Sequence, residues 1–364
     1  MSLIAPVGVE ALWYLRRTMA LRLFILSVVL TAGLWTCPAQ VQAASLYTGE
    51  VPVDQDESAD RNALRALDQV LTRLTGIADR SLVEELGLDR SILRLLVSSE
   101  QRVRRSRVGP DGAPLADELR LRIDFDPAGV DALLARHDLP RLGRERPSIL
   151  LWLAVEEETG IELQGGAYLE QEISEHARRL GLDVVRPLGD LIDLASIDVF
   201  DIRGGFLDSA EASARRYGTQ VIAMLDLRSS DTGWAARWLW RLEGRDAGLQ
   251  LEAEQASDLV SAGLNALLAA LAERFAVVAD DEHATQRRVI VRGIEGEIQY
   301  AEVLRHLRSL SAVSDVLVLA ARGNELEFQL RLRASGLEDG LALGGVLEIE
   351  QRRADGSLEL RLQR

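Results

Sequence analysis

The 364-residue chain contains no lysine; its basic residues are arginine and histidine alone. Schiff-base chemistry, a phosphate-loop lysine and a kinase-type lysine are thereby excluded. Arginine stays charged and cannot be tuned into a base. This usage fits genome composition better than a selected function. Also missing are a nucleophile elbow, an HExxH helix, a zinc-ligand cluster and a glycine-rich dinucleotide loop, so no cofactor and no metal are expected. No repeat of fixed period and no low-complexity tract interrupts the chain. What is abundant is acid. The net charge of −15 repels phosphate backbones and argues against nucleic acid as a partner. A hydrophobic content of 47% indicates a folded protein.

Cysteine occurs once, at Cys37, just after the apolar run Leu21–Trp35 with Arg16, Arg17 and Arg22 at its start. That run is shorter than the roughly 20 apolar residues of a membrane span and suits a signal-peptide core. Small residues at Val41-Gln42-Ala43 place cleavage after Ala43. The bulky Trp35 and Thr36 before Cys37 do not suit a lipoprotein site. Residues 1–43 are therefore expected to be a cleaved signal peptide, with Met19 an alternative start. The expected location is the periplasm, with no transmembrane segment after cleavage. Such a mature chain holds no cysteine, which excludes disulfides, thiol nucleophiles and cysteine metal sites.

Periodicity divides the remainder into three small modules, α/β and α+β in class, with mixed sheets packed against helices. The first, 45–145, reads as strand "SLYTGEVPV", a helix with Ala63, Leu64, Leu67, Val70, Leu71 and Leu74 on one stripe, a second helix near Ser81–Leu96, and a hairpin around "GPDGAP". Asp126 and Pro127 then open another helix as cap and first residue. The second, 146–281, alternates strands and helices and ends in antiparallel strands and a long apolar helix from Asp258. The third, 286–364, is an α+β unit with Leu326, Phe328, Leu330 and Leu332 alternating inward. The acidic stretch 279–283 reads as the linker between the second and third.

"YTGEVPVDQDESADRNALRALDQVLTRLTG", "LRIDFDPAGVDALLARHDLPRLGRERPSILLWLAVEEE" and "ARRYGTQVIAMLDL" resemble the secreted proteobacterial family called domain of unknown function 2066. That family has no assigned activity, so the resemblance implies export and no catalytic residue. The strand–helix opening is more loosely similar to the first domain of the flagellar T-ring assembly protein. The middle module is similar to α/β domains of penicillin-binding-protein activators and to the amino-terminal domain of the Tol-system propeller protein. These likenesses imply partner binding in the cell envelope.

Several side-chain groups are candidates for chemistry. Arg102, Arg104, Arg105 and Arg107 are the one basic concentration; they suit either a solvated strand edge or a dock for an anionic partner. Trp234, Trp238 and Trp240 share one strand face and suit either a sugar-stacking row, for which peptidoglycan is the partner at hand, or packing beneath the helix from Asp258. Glu172 and His176 lie one helical turn apart, as metal ligands, an acid–base pair or a surface ion pair would. Asp190, Asp193, Asp198 and Asp201 could gather a cation or cap helices, and Asp124 with Asp126 forms a DxD beside a capping position. His137 suits a helix end. The function expected is a non-enzymatic periplasmic adaptor or assembly factor that recruits an envelope protein along a strand edge or an intermodule groove. The alternative is a glycan-binding or glycan-hydrolysing protein using carboxylates such as Glu156–Glu158 beside the tryptophans.

Overall fold

The computed structural model describes residues 46–54, 56–157, 160–230, 232–278, 285–332 and 336–363. Cys37, the apolar run before it, the expected cleavage site and the acidic stretch 279–283 lie outside the described residues.

The first sheet contains β1 (Thr48–Pro52), β2 (Val97–Val108) and β3 (Pro114–Phe125), all antiparallel with β3 in the middle. Helix α1 (Ala59–Thr75) lies on it. The Ser58 side chain accepts from the Arg61 amide at its start, and Gly76, at φ 77°, closes it with an N–H to Thr72 carbonyl bond. Its apolar stripe is buried against Tyr47, Val51, Leu121, Ile123 and Phe125. Such burial contributes about 1.5–3 kcal/mol for each large aliphatic side chain. The helix rides close: a Cβ on Gly49 would stand 2.3 Å from the Ala66 carbonyl oxygen. The helix expected near Ser81–Leu96 is instead two, α2 (Leu82–Glu85) and α3 (Arg90–Leu96). Gly87 turns left-handed between them, and the Asp89 carboxylate caps the second by accepting from the Ser91 amide. Helix α4 (Pro127–Arg136) starts as expected, with Asp126 accepting from the Gly129 amide.

The central sheet is built on β5 (Ile149–Glu157), after a two-residue β4 (Pro140–Arg141). Next come β6 (Gly160–Leu163), α5 (Ala167–Leu180) and β7 (Val184–Val185). Three short helices follow, α6 (Leu191–Ser196), α7 (Val199–Gly204) and α8 (Glu211–Tyr217), with a 3-10 turn at Leu207–Ala210. The chain then returns through β8 (Val221–Ser230), β9 (Gly233–Leu242) and β10 (Arg245–Ala253) to the long helix α9 (Ala256–Phe275). The strand order is β10-β9-β8-β5-β6, with β7 also beside β5. β5 is parallel to β7 and β8, and β8, β9 and β10 form an antiparallel meander.

Strand alternation gives this sheet two faces. Leu151, Leu153, Leu225, Leu227 and Trp238 face α5 and α9 in the largest core. Leu150, Trp152, Ala154 and Met224 face the other way, against Ile202, Leu207, Ala210 and Ala214. We call these the inner and outer faces.

A short β11 (Val277–Val278) pairs with β4. The last sheet has the order β13-β14-β12-β16-β15, from β12 (Thr285–Arg292), β13 (Val313–Arg322), β14 (Glu325–Leu332), β15 (Leu347–Arg352) and β16 (Leu358–Leu362). β12 and β16 run parallel and the other pairings are antiparallel. Helices α10 (Glu297–Ser309) and α11 (Leu337–Ala342) cover its core, which contains Leu326, Phe328, Leu330 and Leu332. The fold is thus α/β and α+β, with three main sheets packed on apolar clusters (two of them on the central sheet) and the small β4–β11 pair, and Ala44–Arg364 forms one compact unit. No helix among the described residues is long and apolar enough to cross a membrane.

Candidate functional site on the outer face of the central sheet

The arginine run is divided by a bulge between Arg105 and Arg107. Arg102 and Arg104 are exposed, whereas Arg105 turns onto β1 and donates two bonds to the Glu50 carboxylate, at 2.8 and 2.7 Å. Arg107 lies 3.4 Å from Glu118 on the neighbouring strand. Burial by itself raises the Glu50 carboxyl. The Arg105 bonds and the charges of Arg178 and Arg120 outweigh it and hold the group at about 2. Arg120, itself buried, lies between Glu50, Glu118 and Glu175. Buried Arg73 donates to the carbonyls of Leu46, Thr48 and Arg179, and Arg146 to those of Arg73, Leu180 and Gly181. These guanidinium groups join the first sheet to α5. Arg105 is therefore part of an internal contact and is not free to form one patch with Arg102 and Arg104.

The tryptophan row lies under a helix. Trp238 is fully buried and donates from Nε1 to the Leu259 carbonyl of α9 at 3.1 Å. The helix crosses at Gly263, where a Cβ would stand 2.0 Å from the indole. Trp240 is buried beside it, and half-buried Trp234 packs against the same core. Trp238 and Trp240 are thus taken up in packing beneath α9, and Trp234 is partly covered by the same core.

The other candidates hold local structure. His176 sits between Asn265 (3.2 Å) and Ser261 (3.3 Å) of α9. Burial, aided by Arg179, lowers its pKa to about 4, so the ring is neutral at pH 7. Asp124 accepts from Thr48 and Ser99, and His137 ends α4. Asp190 caps α6, and Asp198 forms a capping box with Asp201 at α7. Glu156 is paired with Arg203 at 2.6 Å; Glu158 lies outside the described residues. Among the described residues, no group of three or more His, Cys, Asp or Glu side chains is placed to hold a metal ion.

Two features of the outer face go beyond the sequence reading, in which Asp193 figured only as a cation ligand or helix cap. The first is α6, whose polarity is inverted. Its Asp193 is fully buried and accepts from the Gly189 amide (3.0 Å), Tyr217 Oη (2.6 Å) and Arg216 Nη1 (2.7 Å). Its apolar side chains face water instead: Leu191 is 85% exposed, Ile192 64% and Leu194 52%. Leu188 before it and Phe200 and Phe206 after it are exposed by 60% or more. A helix resting on its domain normally turns its apolar stripe inward. The sequence signal was an aspartate among leucines in "DLIDLAS".

The second is a crevice across β8, β9 and β10, in the second half of β8. Asp226 and Arg228 of β8, Ala235 and Arg237 of β9, and Gln250 and Glu252 of β10 line a cavity of about 560 Å³. Arg237 donates to the Ile202 and Arg203 carbonyls at the end of α7, so this crevice adjoins the helices just described. The signal was again one acid, in the apolar run "QVIAMLDLR".

Residues 40–143 match the family described as a domain of unknown function (DUF8605). The match covers the first sheet and its helices and stops short of both outer-face features. No curated protein and no solved structure matches the chain.

Proposed function

We propose that this is a non-enzymatic adaptor or assembly factor of the bacterial cell envelope, working in the periplasm, and that it holds a protein partner on the exposed side of α6 and α7. The inverted polarity of α6 carries this reading. Exposing six large apolar side chains within residues 188–206 is costly for a free surface, and contiguous apolar patches beyond a few hundred Å² mark interaction sites. Docking shifts from the expected strand edge or intermodule groove to a helix pair. Of the seven acids in residues 183–211, four are already paired with Arg216 or Arg241; Asp183, Asp198 and Asp201 remain, so the fitting partner offers an apolar face with a few basic side chains at its rim. The apolar leader with small residues at 41–43 and the resemblance to a secreted family support export.

The test is a photo-crosslinking residue at Leu194 in the exported, tagged protein, with a control at Leu95, also exposed but on the first module. One envelope protein captured in stoichiometric amount from position 194, and lost in Leu191→Glu/Ile192→Glu, is the expected result. Equal capture from both positions, or none from folded protein, overturns the proposal.

A further inference from the structure

The central sheet has a topological switch point. From β5 the chain crosses one face through α5 to β7, then returns across the other through α6–α8 to β8 on the far side of β5. Where two connections leave a strand in opposite directions, a crevice opens outside the carboxyl ends, and ligands of open α/β sheets bind there. In this chain the cavity lined by Asp226 and Arg237 lies beside that point, across β8, β9 and β10 on the outer face.

Its floor holds an unmet pair. Asp226 is 2% exposed. Its Oδ2 accepts from Arg228 Nε (3.1 Å) and Nη2 (2.6 Å), and its Oδ1 is buried without a partner. Directly opposite on β9 stands Arg237. Its Nη2 is used on the α7 carbonyls, and its Nε–H is buried without a partner. Buried polar groups are rarely left unmet. A hydroxyl donates and accepts at once and closes both. Gln250, opposite Arg237 on β10, and Glu252 are exposed at the rim and offer an amide and a carboxylate to a second hydroxyl.

Charge selects the class of ligand. Arg203, Arg228 and Arg237 balance Glu156, Asp226 and Glu252, two of the pairs already being in contact. In a protein of net charge −15 this crevice is locally neutral, so its field favours neither anion nor cation. We propose that it binds a neutral saccharide through neighbouring hydroxyls, one of them bridging Asp226 Oδ1 and Arg237 Nε–H, with half-exposed Arg228 swinging aside to admit it. The site is separate from the docking face of α6 and stands or falls independently of it.

The experiment follows arginine Nε–H resonances in the ¹⁵N-labelled exported protein, with the Arg237 signal identified by its loss in Arg237→Lys. The probes are glucose, N-acetylglucosamine and its β-1,4 dimer at millimolar concentration. A saturable shift of the Arg237 resonance is expected, weakened at least about tenfold in Asp226→Asn, as when a site built for a hydroxyl loses its match. Gln250→Ala, at the exposed rim, is expected to weaken it too and guards against a folding defect in Asp226→Asn. Absence of a saturable response to every sugar overturns the proposal and leaves water as the bridging hydroxyl. An equal response to cyclohexanol, which lacks a neighbouring pair, overturns it, and so does a response to acetate or phosphate alone.

Discussion

The inner and outer faces of the central sheet are made from the same strands and have opposite characters. The inner face is sealed by α5 and α9, which bury an almost unbroken apolar core with Trp238 at its centre. The outer face is covered by three short helices and a 3-10 turn, with a smaller core beneath them. It also carries a buried aspartate in α6, exposed leucines and an unmet polar pair in its floor. One face has its covering already. The other keeps large apolar side chains exposed and polar atoms unmet.

The sharpest way to break that contrast is to empty the inner face. Trp238→Ala should cost about 3–5 kcal/mol in urea unfolding, because α9 cannot collapse fully onto the gap. A loss below about 1 kcal/mol would mean the row is not the keystone of the inner core.

Second in size is the junction between the first sheet and α5. Glu50→Gln leaves buried Arg120 short of a carboxylate and should cost about 3 kcal/mol. The wild-type folded pKa lies below the ordinary glutamate value of 4.5, at about 2. The stability held there is therefore present above pH 4.5 and lost as pH falls towards 2. Acid unfolding of Glu50→Gln should lack that loss; parallel acid titrations of the two proteins would contradict the account.

A smaller effect belongs to His176 between α5 and α9. Its folded pKa lies below its unfolded value of 6.5, at about 4. The unfolded chain takes up the proton first, so stability declines as pH falls from 6.5 to 4. His176→Gln should flatten the slope of Tm against pH in that window. An unchanged slope would assign the acid sensitivity to another group, such as buried His306, whose pKa burial also lowers.

The smallest effect is expected on the outer face. Leu191→Glu replaces a side chain that is 85% exposed and should change stability by no more than about 0.5 kcal/mol while abolishing partner capture. A large loss of stability would show that Leu191 packs within the protein and would remove the docking surface.

Much of the scaffold is legible in the chain. The stripe of α1 with Gly76 after it, the capping aspartates at 126, 190 and 198, and the inward alternation of β14 are local signals read at local range. The tryptophan row was visible as a row, but whether it stacks on sugar or packs under α9 depends on Gly263, in a helix contributed from elsewhere in the chain. The arginine run was visible as a charge concentration. Its division follows from Glu50, brought to Arg105 across β3 from 55 residues away.

The amino-acid order by itself determined composition-level exclusions, the helix starts and stops and the alternation of the strands, because each depends on neighbours within a turn or a pleat. Tertiary structure alone decided that Asp193 is buried while Leu191 is exposed, and that Asp226 and Arg237 face each other with an acceptor and a donor unmet. These outcomes depend on which elements cover which face of β5 and β8. Burial and hydrogen-bond satisfaction are properties of the assembled surface, and no local pattern carries them.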